Sequence, residues 1–424
     1  MRIAFCGVAL CATSVLLAFP GALGAQGALS ARALTLIEAR ELAQRSSPEL
    51  AVARHAAAAA AGRQRQAGAF PNPALSYGRE QTSREGESNT QNLVSLEQPL
   101  EIGGQRGARR AAAAAARAAA EARLSAAAAR VDYKVARTYA TAVASQRRAA
   151  LAETAAAAFE RAGRVSEARL AGGDVSGYQH RRLALEVGRY AVLRAEALVA
   201  RDSAIQTLAS LIGLADSTGP AGALILTDTL TPAPLTQPAD SFVALALLRR
   251  SELRGAVLDA EAAAAEARLA GAERIPTPTL SGGFKHERLA TGESLGGFVA
   301  GVSLPLPLWD RRGGAVEAAR AEAARREAEV AGIRRQTARE VRTAFAVHQA
   351  LAGQLELLEA HLSDDARRAR RAAEAAYAEG EIGLLEWLDT VRAYQEAETT
   401  YATLWAEYIT RRAALERATG ASLF

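Results

Sequence analysis

Phe70-Pro71-Asn72-Pro73-Ala74-Leu75-Ser76 and Ile275-Pro276-Thr277-Pro278-Thr279-Leu280-Ser281 are two copies of one phrase, set roughly 200 residues apart. The phrase has company. Val94-Ser95-Leu96-Glu97-Gln98-Pro99-Leu100 recurs as Val302-Ser303-Leu304-Pro305-Leu306-Pro307-Leu308, and Gly173-Asp174-Val175 recurs as Gly380-Glu381-Ile382. Gly213 and Gly420 then follow the glycines of that third pair at equal distance. Matches in one order at nearly one offset mark a duplicated chain. The paired prolines end a helix in each copy, because proline lacks the amide and pushes the preceding residue out of helical angles.

Working outward, each copy has one plan. Upstream lies a helical stretch, about 35–68 in the first copy and 241–271 in the second, with Leu36, Ala39, Leu42 and Ala43 on one stripe. Downstream, residues alternate. Leu280, Gly282, Phe284 and His286 fall on one face, and Phe298, Ala300, Val302 and Leu304 on one face of the next segment. That is strand periodicity, so β-hairpins are expected at about 74–99 and 279–304. Polar loops, 83–89 and 289–294, join the strands.

No proline interrupts 107–173, and a helix of that length reaches roughly 100 Å. The segment 314–380 is expected to be an equally long helix. Each is followed by a returning helix to Gly213 or Gly420. Half of the residues are hydrophobic but only 5% are aromatic, and much of the remainder is alanine. Alanine buries little area yet favours helix and lets helices approach closely, so the chain should form long packed coiled coils rather than a thick core.

The domain plan is therefore a signal peptide at 1–25, a first repeat at 26–213, and a linker at 214–240 rich in Thr, Pro and Gly. A second repeat at 241–420 and a tail at 421–424 complete it. Arg2, the apolar run from Ile3 to Phe19, Pro20-Gly21 and the small residues to Ala25 have the layout of a cleavable secretory signal. Both cysteines, Cys6 and Cys11, lie within it, so the mature chain holds no disulfide or thiolate chemistry.

Charge and motifs narrow the function. The 51 basic residues are interspersed with 46 acidic ones, a solvated helix face rather than a nucleic-acid patch. His55, His180, His286, His348 and His361 have no paired ligand spacing, and no nucleophile motif or phosphate loop is present. The expectation is no enzyme, no cofactor, no resident metal and no nucleic-acid partner.

Beyond the signal, no segment has the ~18 apolar residues of a membrane helix. If the chain spans a membrane, its four strands must do so, and four strands cannot close a barrel. Copies must pool their hairpins: a dimer supplies eight strands and a trimer twelve, the trimer leaving more room for a pore. The opposing reading is a soluble periplasmic coiled-coil adaptor or scaffold, which accounts for the helices but not for the hairpins.

Several phrases together resemble the TolC family of outer-membrane efflux proteins. They are Pro48-Glu49-Leu50, Phe70-Pro71-Asn72-Pro73-Ala74-Leu75, Leu96-Glu97-Gln98-Pro99-Leu100-Glu101-Ile102-Gly103-Gly104-Gln105-Arg106 and Tyr377-Ala378-Glu379-Gly380-Glu381-Ile382. The resemblance covers nearly the whole mature chain. It implies a mainly α fold with a small β part, a homotrimer with a twelve-stranded barrel in outer-membrane lipid, and a helical tunnel in the periplasm. It also implies a passive duct fed by an inner-membrane transporter through a periplasmic adaptor (membrane fusion) protein. The stretch around Gly103-Gly104 leans toward cobalt–zinc–cadmium efflux members; drugs or secreted proteins are the other cargoes.

By the same resemblance, Gly172, Gly173, Asp174 and Val175, with Gly380, Glu381 and Ile382, are adaptor-contacting tips. Glu386 and Asp389 would form carboxylate rings in a pore constriction, with Tyr377 in tip closure. Three departures stand out: Ile382 replaces an expected basic residue, and Gln179 and Arg182 occupy the first-repeat counterparts of Glu386 and Asp389. Trp309, where strand meets helix, suits either an interfacial anchor or a packed indole.

Overall fold

The computed structural model describes residues 32–214, 224–227, 235–362 and 364–422. The expected signal peptide at 1–25 and the last two residues lie outside them. In chain order the elements begin with β1 (Arg32–Leu34), α1 (Leu36–Ser46) and α2 (Pro48–Ala67), then β2 (Ala74–Arg84) and β3 (Glu87–Pro99). The long α3 (Gln105–Ala171), α4 (Gly177–Leu211) and β4 (Leu224–Leu226) follow, then α5 (Ala239–Arg249) and α6 (Ser251–Ala272). The remaining elements are β5 (Thr279–Arg288), β6 (Ser294–Ser303), α7 (Gly313–His361), α8 (Asp364–Glu379) and α9 (Leu384–Thr419).

The fold is mainly helical with two β-hairpins and duplicated long helical hairpins, as the composition required. α3 packs on α2, α4, α6 and α9. Most of its buried residues are alanines, among them Ala112, Ala119, Ala136 and Ala140. Larger side chains gather in patches: Tyr139, Leu208, Leu355, Trp405 and Tyr408 form the centre of one cluster.

Three helices expected to be continuous are broken. Ser47 is extended (φ −63°, ψ 121°) between α1 and α2, with Pro48 opening α2 where a missing amide costs nothing. Arg250 takes nearly the same angles between α5 and α6, without a proline. It is buried, and its guanidinium pairs with Glu340 at 2.7 Å and Glu252 at 3.3 Å while donating to Thr337 Oγ1. The segment 314–380 is two helices, α7 and α8, rather than one. α8 opens at Asp364.

The helix-end glycines seat against the first two of these breaks. Gly213 (φ +75°) lies where a Cβ would come within 2.5 Å of Ser46 Cβ, and Gly420 (φ +68°) where one would come within 2.5 Å of the Arg249 carbonyl. Within the 214–240 segment, β4 pairs in parallel with β1. Tyr139 donates to the Leu34 carbonyl at 2.8 Å, and the Gln146 amide bonds both backbone groups of Leu226, so α3 holds both strands.

The second sheet has the order β2-β3-β5-β6, all antiparallel. The first hairpin turns on only two residues, Glu85 (φ 51°) and Gly86 (φ 94°), a pair of positive angles typical of a type I′ turn. The polar residues on either side belong to the strands, pairing Ser83 with Ser88 and Thr82 with Asn89. Residues directly opposite share a face, so the register sorts the sheet. One face carries Leu75, Leu96, Tyr77, Val94, Phe284, Phe298, Leu280 and Val302; the other carries Ser76, Ser95, Glu97, Ser281, Glu80, Gln91, Lys285 and Glu287. The apolar face is bare, with Phe298 92% exposed. Neither β2 nor β6 has a strand on its outer edge among the described residues. Trp309, 93% exposed, is not a packed indole within the protomer.

Candidate functional site

The two helical hairpins reverse at matching turns, and both are built by one hydrogen-bond pattern. Gly173 N donates to Leu170 O at 3.1 Å and Asp174 N to Arg169 O at 2.9 Å. In the second repeat Gly380 N donates to Tyr377 O at 3.2 Å and Glu381 N to Ala376 O at 2.8 Å. These are Schellman motifs, whose left-handed position is filled by Gly173 (φ +82°) and Gly380 (φ +87°).

The turns then diverge. Ser176 caps α4 by accepting from Gln179 N at 3.2 Å, while Gln179 Oε1 accepts from Ser176 N at 3.1 Å. This reciprocal capping box is the place of Gln179, and Ser176-x-x-Gln179 was its signal in the sequence. α9 starts after Gly383 with no side-chain cap.

Between the turns sits an aromatic stack. Phe159 and Tyr190 rings lie 3.9 Å apart, Tyr377 and Trp387 rings 5.0 Å apart at 15°, and Phe159 meets Trp387 at 4.8 Å. Leu183, Leu384, Leu388 and Val391 close the cluster, and Ile382 packs against it. Tyr377 is therefore a buried residue, 5% exposed. Burial pushes its hydroxyl pKa up, against the opposing charge of Arg169. Glu386 and Asp389 lie on the exposed face of α9, away from buried Trp387 and Leu388. The structure thus brings the two carboxylates together on one face and separates Tyr377 from them.

Arg169 escaped the sequence reading. From the end of α3 its Nη1 donates to the Tyr377 carbonyl at 3.2 Å, and its guanidinium occupies the space a Cβ at Gly380 would need. An arginine one helix away thus reaches the turn in which Ile382 stands where a basic residue was expected. Nothing local marks it, since the pairing spans 208 residues. Two acids strengthen the link between the repeats: Glu374 accepts from Arg161 at 2.5 Å and Arg370 at 3.3 Å, and Glu186 pairs with Arg392 and Arg189. Among the described residues no cluster of His, Cys, Asp or Glu is arranged to hold a metal ion, and no helix is long and apolar enough to cross a membrane.

Residues 242–421 match the family described as Outer membrane efflux protein. Over that second repeat the chain is similar to the outer-membrane efflux proteins. A curated relative, the cobalt-zinc-cadmium resistance protein CzcC of Cupriavidus metallidurans, is 27% identical over 377 residues, 87% of this chain and 85% of the relative. Among solved structures, the outer-membrane channel OprN superposes with a TM-score of 0.74 at 20% identity, covering 91% of this chain and 90% of OprN. CusC, a channel studied for its folding and transmembrane channel formation, gives 0.73 at 17% identity, with 91% and 92% covered. The fold of this chain is thus the fold of solved outer-membrane channels. A soluble scaffold leaves these likenesses unexplained. The bare apolar sheet face and the first helical tip lie at the two ends of α3.

Proposed function

We propose that three copies of this chain pool their four-stranded sheets into a twelve-stranded barrel and act as the passive exit duct of a tripartite pump. The single observation that carries this is the sheet: one face is apolar and bare, the other mostly polar with Leu93, Leu295 and Val299 among its residues, and among the described residues both edges are open. An open edge in lipid leaves backbone groups unsatisfied, so closure by further copies is the stable arrangement. The duplicated halves, 26–213 and 241–420, would contribute alternate helical hairpins to a tunnel that continues the barrel.

An inner-membrane transporter and a periplasmic adaptor would supply substrate at the tips, Gly172–Val175 and Gly380–Ile382. Glu386 and Asp389, exposed side by side on α9, would face the lumen as rings of three carboxylates each and favour cations. The relationship to CzcC makes divalent metal cations the preferred cargo, passing through rather than residing. Arg169, holding the second tip turn through the Tyr377 carbonyl, would help keep the narrow end closed.

Single-channel conductance in a planar bilayer tests the reading, comparing wild type with Glu386→Ala plus Asp389→Ala. Stable cation-selective pores whose conductance rises in the variant are expected. Unchanged pores would remove the constriction assignment but leave the duct; a folded oligomer that forms no pores would overturn the duct itself.

A further inference from the structure

On the apolar face of the sheet, the row Tyr77–Val94–Phe284–Phe298 is followed toward the hairpin turns by Arg79–Asn92–His286–Gly296 and then Gln81–Thr90–Arg288–Ser294. Every ionisable side chain in those two rows is basic: Arg79, His286 and Arg288. The opposite face at the same height carries the acids Glu80 and Glu287. Lys285 on that face is paired with Glu287 at 3.0 Å. By contrast, among the described residues no ion pair or side-chain hydrogen bond engages Arg79, His286 or Arg288, and all three are exposed. What sets Arg79 and Arg288 apart is their place, at the edge of an exposed apolar band on the same face of the sheet.

The band explains where the charges would sit. From Phe298 to Leu304 it runs roughly 20 Å along the strand, close to the apolar height of a membrane barrel. The basic rows cap its turn-side edge, at the depth of lipid headgroups. Arg79 and Arg288 lie two strands apart and two residues apart along the strand direction, roughly 12 Å between backbone positions, a spacing suited to two phosphates on one headgroup. Arginine is the side chain matched to phosphate by its planar donor fork.

Resting on the barrel reading above, we infer that Arg79, His286 and Arg288 form a docking surface for a phosphate-bearing lipid of the outer leaflet. The headgroup phosphates meet the guanidinium groups, and the acyl chains lie along Tyr77, Phe284 and Phe298. Phe284 and Phe298, edge to face at 5.6 Å, give those chains a rigid wall.

The test is a lipid titration of the full-length detergent-purified oligomer, followed by native mass spectrometry. The probes are a bisphosphorylated glucosamine-disaccharide lipid (lipid A) and the same lipid with its phosphates removed. Wild type should prefer the phosphorylated form, and Arg79→Gln plus Arg288→Gln should weaken that binding roughly thirtyfold while leaving the dephosphorylated lipid unaffected. Arg79→Lys plus Arg288→Lys should retain most of the preference, and Lys285→Gln on the polar face all of it. Equal binding of the two lipids by wild type, or an equal loss in Lys285→Gln, overturns the inference and leaves the barrel standing. A chain that stays monomeric and soluble without detergent and binds neither lipid overturns the barrel reading as well.

Discussion

Gly420 joins two demands in one residue. Its positive φ disfavours any side chain, and the Arg249 carbonyl occupies the space a Cβ would enter. Gly173 meets only the first demand, since nothing lies within 4 Å of a Cβ there. Gly420→Ala should therefore cost at least about 2 kcal/mol, and Gly173→Ala only about 1 kcal/mol. Thermal melts followed by circular dichroism would check the order; equal losses would mean that the backbone contact at 249 is soft. His348 is a second residue with two sides. Fully buried, with its ring 4.9 Å from Tyr408, its pKa is pushed down to about 4, first by burial and then by Arg412. The unfolded chain binds a proton near pH 6.5 while the folded one does not, so stability is complete above that pH. It should fall by up to roughly 3 kcal/mol as pH drops from 6.5 to 4. His348→Leu should flatten that slope in a melting-temperature series; an unchanged slope would place the sensitivity elsewhere.

The elements show which parts of the fold were legible in sequence and which were not. Alternation at 279–287 and the long proline-free stretch at 107–173 read directly, because period and length are local properties. The break at Arg250 did not, since an arginine with helical neighbours carries no local stop signal. Its extended backbone is held by Glu340 and Thr337 from α7, partners that only the folded chain supplies. The break at Ser47 was written in Pro48, which is a first-turn proline as much as a family residue. The hairpin loop at 83–89 read as long because its residues are polar, yet a two-residue Glu-Gly turn suffices and the polar flanks extend the strands. At the tips, glycine positions were legible, whereas Arg169 and the burial of Tyr377 depend on pairing across the repeats. α3 itself lives by small residues: Ala136 and Ala140 are fully buried one turn apart. Ala136→Leu should overfill that seam and cost about 1–3 kcal/mol, visible as an earlier melt; an unchanged melt would show that the helices can move apart freely.

For the whole molecule, the arrangement divides labour by length. The sheet is amphipathic across its thickness, while the helices beyond it are polar outside and thinly packed within. Val302→Arg, inside the bare apolar band, should cost about 2–4 kcal/mol in a membrane barrel and weaken assembly. Gln91→Arg, on the polar face beside Glu80 and Glu287, should be tolerated. Heat-dependent migration of the reconstituted oligomer on a gel would separate the two, and similar behaviour would mean that the faces are assigned the wrong way round.

The unequal capping of the two tip turns has a mechanical consequence. α4 begins with a reciprocal side-chain clasp and α9 with none, a difference worth about 1 kcal/mol. The first turn of α9, which leads into Glu386 and Asp389, is therefore the more compliant of the two helix starts, fraying roughly fivefold more often, while Arg169 secures the turn just before it. Under load the give is therefore confined to the start of α9 beside the carboxylates, with the turn at Gly380 held from the other repeat.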